Sequence, residues 1–202
     1  MEITLDNITH SYKGNDVFSS LSKRFAANSR TVILGNNGSG KSTLLKIISS
    51  FITQSKGQVI YTKDGNLVPT DLIPFQICCC SPFIELEENY SLDELFDFHF
   101  SLRTLKAGYS KEKFFELCYL SDAQFKKVKE LSSGMTQRLK LAFTFLTESS
   151  LILLDEPCMN LDKNGIEMYT SFIKNLGDKT TQIVASNSIL VEYEHCNAEI
   201  TL

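Results

Sequence analysis

The chain has 202 residues, 43% hydrophobic and 22% charged, with a formal net charge of −4. That length supports one large core, or a core with a subordinate lobe, and the balance excludes a disordered or membrane-embedded chain. Mild acidity with no basic block argues against nucleic acid as the main partner.

The chain opens Met1-Glu2-Ile3-Thr4-Leu5-Asp6, without a charged-then-apolar leader, and no apolar run approaches the roughly 20 residues a spanning helix needs. These features predict a cytoplasmic chain with no direct membrane insertion. Residues 1–30 alternate as antiparallel strands do, with Ile3, Leu5, Ile8, Val17, Leu21 and Phe25 on the apolar side.

Thr31-Val32-Ile33-Leu34 reads as a buried parallel strand. It runs into Gly35-Asn36-Asn37-Gly38-Ser39-Gly40-Lys41-Ser42, and Thr43-Leu44-Leu45-Lys46-Ile47-Ile48 follows with helical spacing. This is the pattern of a phosphate-cradling P-loop. Its glycines let successive N–H groups converge on an anion at a helix N-terminus, where the dipole is positive. Lys41 is placed to reach β- and γ-phosphates, and the Ser42 hydroxyl to ligate Mg²⁺. The loop predicts nucleoside triphosphate binding.

Gly57 to Tyr61 predicts another strand, with a hairpin turn at Asp64-Gly65-Asn66. Cys78, Cys79 and Cys80 are adjacent, whereas metal ligands are usually spaced by two to four residues. With Cys118, Cys158 and Cys196 isolated, the six cysteines read as small apolar residues rather than a metal site or disulfides. From about 82 to 130 the spacing turns helical and phenylalanine-rich, including Phe83, Phe96, Phe98, Phe100, Phe114, Phe115 and Phe125.

Leu131-Ser132-Ser133-Gly134-Met135 then opens a helix with Leu139, Ala142, Phe143 and Leu146 on one face, and either Ser132 or Ser133 can cap it. Leu151-Ile152-Leu153-Leu154-Asp155-Glu156-Pro157 is an apolar strand ending in two carboxylates. Beside a P-loop, Asp155 can hold the Mg²⁺ shell opposite Ser42 through a water, and Glu156 can serve as general base toward the γ-phosphate. Thr181 to Ala185 is the last strand of this α/β pattern. The expected fold is α/β: a P-loop NTPase core with a parallel sheet, an N-terminal antiparallel β part and a helical insert. Its division is a core lobe of residues 1–81 and 150–202 and a helical subdomain of residues 82–149.

The order of P-loop, helical insert, Leu131 to Met135 and strand-Asp-Glu-Pro resembles the ATP-binding-cassette (ABC) ATPases over nearly the whole chain. The family's signature usually reads Leu-Ser-Gly-Gly-Gln. The resemblance implies that Tyr12 stacks on adenine and that Asn36, Asn37, Gly38, Ser39, Gly40, Lys41, Ser42 and Thr43 hold ATP and its Mg²⁺. It implies that Ser132 and Gly134 contact the γ-phosphate held by an opposite subunit, and that Asp162 belongs to a loop crossing the dimer interface. The partners it implies are a second copy or a paralogous ATPase subunit, and a separate transmembrane permease that keeps the chain peripheral on the inner face of the cell membrane. It places the permease groove in the region of Phe83 to Phe100.

Three positions depart from the family pattern. The signature reads Ser-Ser-Gly-Met, and the usual glutamine before Pro82 is replaced by Cys80 or Ser81, with Gln76 too early to substitute. The usual histidine after the last core strand is Asn187, which donates a hydrogen bond but takes no proton. His10, His99 and His195 read as structural or surface residues, His195 on the helix after Asn187. The expected function is an ATPase subunit of an ABC transporter, with Glu156, Lys41 and Asn187 catalytic and turnover slow. The alternative is a non-transport ABC ATPase or a slow-turnover ATP clamp.

Overall fold

The alternation of Ile3, Leu5, Ile8 and His10 along the first strand skips one step, and the backbone explains the skip. Asn7 adopts φ 50°, and the pairing register shifts between Leu5 and Ile8. This bulge lets a three-residue step return Ile8 to the buried face. The computed structural model describes residues 1–12 and 15–202.

In chain order its elements are β1 (Glu2–Tyr12), β2 (Asn15–Phe25), β3 (Arg30–Leu34), α1 (Lys41–Ile48), β4 (Lys56–Lys63), β5 (Asn66–Leu67), α2 (Ile73–Gln76) and β6 (Ile77–Cys80). There follow α3 (Leu92–Leu102), α4 (Lys111–Leu117), α5 (Ser133–Leu146), β7 (Leu151–Asp155), α6 (Lys163–Lys174), β8 (Thr181–Ala185), α7 (Leu190–Tyr193) and β9 (Ala198–Thr201).

Two units divide the chain. The first comprises Met1–Ser81, Ser149–Glu156 and Gly177–Leu202. It holds an antiparallel sheet of order β2-β1-β4-β5 and a parallel sheet of order β6-β7-β8-β3-β9. Every residue of β7 and β8 is buried, as strands covered on both faces require. Leu44, Leu45, Ile47 and Ile48 of α1 pack into the same core as Leu151, Leu153, Ile183 and Ala185. Truncating one such leucine to alanine costs about 2–5 kcal/mol. The parallel register sets the C-terminal ends of β7, β8 and β3 side by side, where ligand sites of open α/β sheets form.

The second unit comprises Pro82–Glu148 and Pro157–Leu176, so residues 157–176 group with the helices and not with the core lobe as expected. The reason is packing of α6 on α5: Phe145 stacks on Phe172 at a centroid distance of 5.3 Å and meets Tyr169 edge-on at 6.1 Å. The phenylalanines divide. Phe96, Phe114 and Phe115 are buried and join Phe100, His99 and Phe143 in one ring cluster, whereas Phe98 and Phe125 are exposed. In α5 the burial extends beyond the expected face to Leu141, Thr144 and Phe145, so its C-terminal half is covered on every side.

Candidate active site

α1 begins without the caps that start the other long helices. Ser91, Ser110, Ser132 and Asp162 each accept a backbone N–H at the starts of α3, α4, α5 and α6. Gly40, at the start of α1, offers no side chain, and the first turn carries no carboxylate. Orphan N–H groups at an uncapped helix start, with the dipole behind them, are an anion site. The close packing explains why position 40 is glycine: its φ is 100°, and a Cβ there would lie 2.7 Å from Val17 Cγ1 and 2.8 Å from Phe18 Cζ.

Lys41, only 6% exposed, donates from Nζ to the carbonyls of Gly35 at 2.7 Å and Asn36 at 3.1 Å. The ammonium is thus held by the loop's own backbone rather than by a carboxylate, and two neutral acceptors are readily exchanged for phosphate oxygens. The Ser39 hydroxyl is buried with no partner among the described residues. A cavity of about 510 Å³ in the first unit is lined by Tyr12, Val17, Asn37, Gly38, Gly40, Lys41, Ser42, Thr43, Glu156 and Asn187. Tyr12 is 47% exposed, which leaves a ring face open, and its edge contact is with His10 at 4.8 Å.

Glu156 follows β7 with φ 49°, a left-handed conformation that a non-glycine residue rarely adopts without function or strain. Its N–H donates to Ala185 O at 2.9 Å, and its carboxylate accepts a hydrogen bond from Asn187 Nδ2. Asp155, buried beside it, accepts from the Ser81 hydroxyl at 2.9 Å. Ser81 and Cys80, the two candidates for the replaced glutamine, are both fully buried. Gln76 is engaged at the start of β6 instead, where its Oε1 accepts from Ser150 Oγ and Lys63 Nζ.

The remaining sequence candidates lie on the second unit. Ser132 spends its hydroxyl on the N–H of Met135, at 3.3 Å, which settles the choice of cap. Gly134 is approached so closely by the Asn160 carbonyl that a Cβ would sit 2.8 Å from it. Asp162 caps α6 through Gly165 N at 2.8 Å and lies 3.9 Å from Arg138.

Asn36 and Ser39 belong to the loop but do not line the cavity. Val17 does line it and was not legible: a valine on an alternating strand carries no signal of a ligand. His99 bonds Thr147, and His195 lies just beyond α7, not on it, and bonds Gln182. No disulfide joins any of the six cysteines; burial pushes the Cys79 thiol well above its ordinary range and those of Cys118 and Cys196 to about 12, so these three stay protonated near neutrality.

The family model described as ABC transporter matches residues 18–159, well over half of the chain. The chain belongs to the ABC transporter family. It is 29% identical over 175 residues to the cytochrome c biogenesis ATP-binding export protein CcmA of Reclinomonas americana, covering 85% of this chain and 78% of that one. It is 26% identical over 196 residues to the lantibiotic transport ATP-binding protein SrtF of Streptococcus pyogenes, covering 96% and 82%. A dimeric structure of a bacterial ABC transporter cassette superposes with a TM-score of 0.81 at 23% identity, covering 99% of this chain and 94% of that one, which bears on the fold. This member of the ABC transporter family is therefore an ATP-binding cassette ATPase with the family's α/β architecture.

Proposed function

We propose that this ABC ATPase binds MgATP at the uncapped start of α1, dimerises around it, and by hydrolysing it drives a separate transmembrane permease. The observation that carries the reading is the common cavity lined by Lys41, Glu156, Asn187 and the open turn Ser42-Thr43. In this reading Tyr12 stacks on the base, and the N–H groups of Asn37 to Thr43 receive the phosphates. Lys41 exchanges the Gly35 and Asn36 carbonyls for β- and γ-phosphate oxygens. Glu156 accepts the proton of the attacking water, whose oxygen bonds the γ-phosphorus as the bond to ADP breaks.

Magnesium fits the donors present: the Ser42 hydroxyl and the Asp155 carboxylate are hard oxygen ligands, and Ser81 orients the carboxylate. When bound, the ion would neutralise charge building on the phosphates. Asn187 donates to Glu156 or to phosphate but carries no charge, which favours slow turnover and leaves Glu156 as the proton acceptor. Ser132 and Gly134 of one copy are assigned to the γ-phosphate of the other, with Asp162 at the shared face. Such pairing is isologous, each copy completing its partner's site. The exposed Tyr90 and Phe98, a ring pair 6.0 Å apart, are assigned to the permease contact, on the inner face of the membrane.

The test is the Glu156→Gln variant under saturating MgATP. It is expected to accumulate as an ATP-bound dimer in size-exclusion chromatography with light scattering. A variant that binds ATP yet stays monomeric contradicts the reading.

A further inference from the structure

Glu192 on α7 is fully buried, yet it is a carboxyl group and lies outside the cavity already described. Withdrawing a carboxylate from water costs several kcal/mol, and an apolar residue of similar volume would be cheaper at such a position. What the residue does there is specific: its Oε2 accepts a hydrogen bond from the hydroxyl of Ser186, itself fully buried.

Ser186 is the residue before Asn187. Its N–H donates to Ile33 O at 3.2 Å, so backbone and side chain are both pinned as the chain leaves β8. Ser188, on the other side of Asn187, has φ 73°, and the chain bends at these two residues. Asn187 itself is held by one end of its carboxamide. Its Nδ2 meets Glu156, but its Oδ1 is buried with no partner among the described residues. The orientation of the carboxamide therefore depends on the backbone that carries it, and that backbone is tied to Glu192.

We infer that Glu192 is a positioning residue that, through Ser186, fixes the Asn187 carboxamide against Glu156. The link runs from a buried carboxyl group on α7 to the Ser186 hydroxyl, along the backbone to the adjacent Asn187, and through its carboxamide to the assigned base. The inference rests on the function proposed above for Glu156, and it deepens that reading by giving the base a support that no site motif marks.

The test compares Glu192→Ala, Glu192→Gln and Ser186→Ala with the unaltered chain, by steady-state hydrolysis and by the ¹⁵N resonances of the Asn187 side-chain amide, assigned through their loss in Asn187→Ser. In Glu192→Ala the amide pair is expected to move to the position of a freely rotating carboxamide. kcat should fall about tenfold or more, as misplacement of a supporting group does. KM for ATP should stay within about twofold, because nucleotide binding is not what Glu192 serves. Ser186→Ala should reproduce both changes and covers the case of a Glu192→Ala chain that does not fold. Glu192→Gln retains an oxygen for the Ser186 hydroxyl and should keep the amide pair in place with most of the turnover. An unmoved amide pair in folded Glu192→Ala and Ser186→Ala overturns the inference, as does equal loss in Glu192→Gln and Glu192→Ala. Absence of hydrolysis by the unaltered chain counts against the proposed function, and the amide resonances still decide the positioning claim.

Discussion

The carboxamide of Asn187 donates a hydrogen bond to the carboxylate of Glu156, joining the loop after β8 to the end of β7. The pair combines an acceptor that can take a proton with a neighbour that can neither take nor lend one. Because the neighbour is neutral, it orients the carboxylate without adding a positive charge that would oppose its basicity.

Replacing that neighbour with a titratable one is informative. Asn187→His is expected to raise the hydrolysis rate on the order of ten- to a hundredfold, at or below the lower end of what a positioned acid–base group contributes. The rate should also become pH-dependent between about 5 and 8, where imidazole titrates. Steady-state phosphate release across that range measures both, and a flat profile at the original rate would show that the site is adapted to asparagine.

Lys41→Ala removes the ammonium now held by Gly35 and Asn36. Losing charge-assisted contacts worth about 1.5–3 kcal/mol each should weaken ATP binding by at least tenfold to a hundredfold. Calorimetric titration with ATP checks this, and unchanged affinity removes Lys41 from the phosphate site.

Gly134→Ala places a methyl group against the Asn160 carbonyl, 2.8 Å away. The overlap is expected to cost about 1–3 kcal/mol of stability. Ser133→Ala, exposed on the next residue, should stay within about 0.5 kcal/mol. Chemical denaturation midpoints of the two variants separate a steric requirement for glycine from a requirement made only in the assembled dimer.

Acid should weaken the fold through two histidines. Burial first, then the charges of Arg103 and Arg30, hold His99 and His195 down to about 4, below the ordinary value of 6.5. Between those values the unfolded chain binds protons that the folded chain resists. Their contribution is therefore complete above pH 6.5 and is lost as pH falls toward 4. Thermal midpoints should decline across that window, and the decline should be shallower in His99→Gln/His195→Gln. An unchanged slope would show that other groups dominate.

The parts of this molecule that follow local rules were legible in the sequence. The turn from β3 into α1, the apolar β7 ending in Asp155 with Glu156 just after it, and the hairpin at Asp64-Gly65 all announce themselves by glycine placement, apolar runs and strand length. The parts that depend on long-range packing were not. Residues 157–176 group with the helices because Phe145 stacks on Phe172 and meets Tyr169 edge-on, a meeting that no periodicity reveals. Val17 reaches the cavity only because the register of β2 brings it beside Gly40. Glu192, to which the sequence analysis gives no role, is fully buried against Ser186.

Steady-state MgATP hydrolysis across a range of protein concentrations, with Glu156→Gln as the blank, tests the central claim most directly. A dimerising ATPase that uses Glu156 as its base predicts a rate rising more than proportionally with concentration and vanishing in the variant. A rate strictly proportional to concentration, or equal in the two proteins, would contradict it.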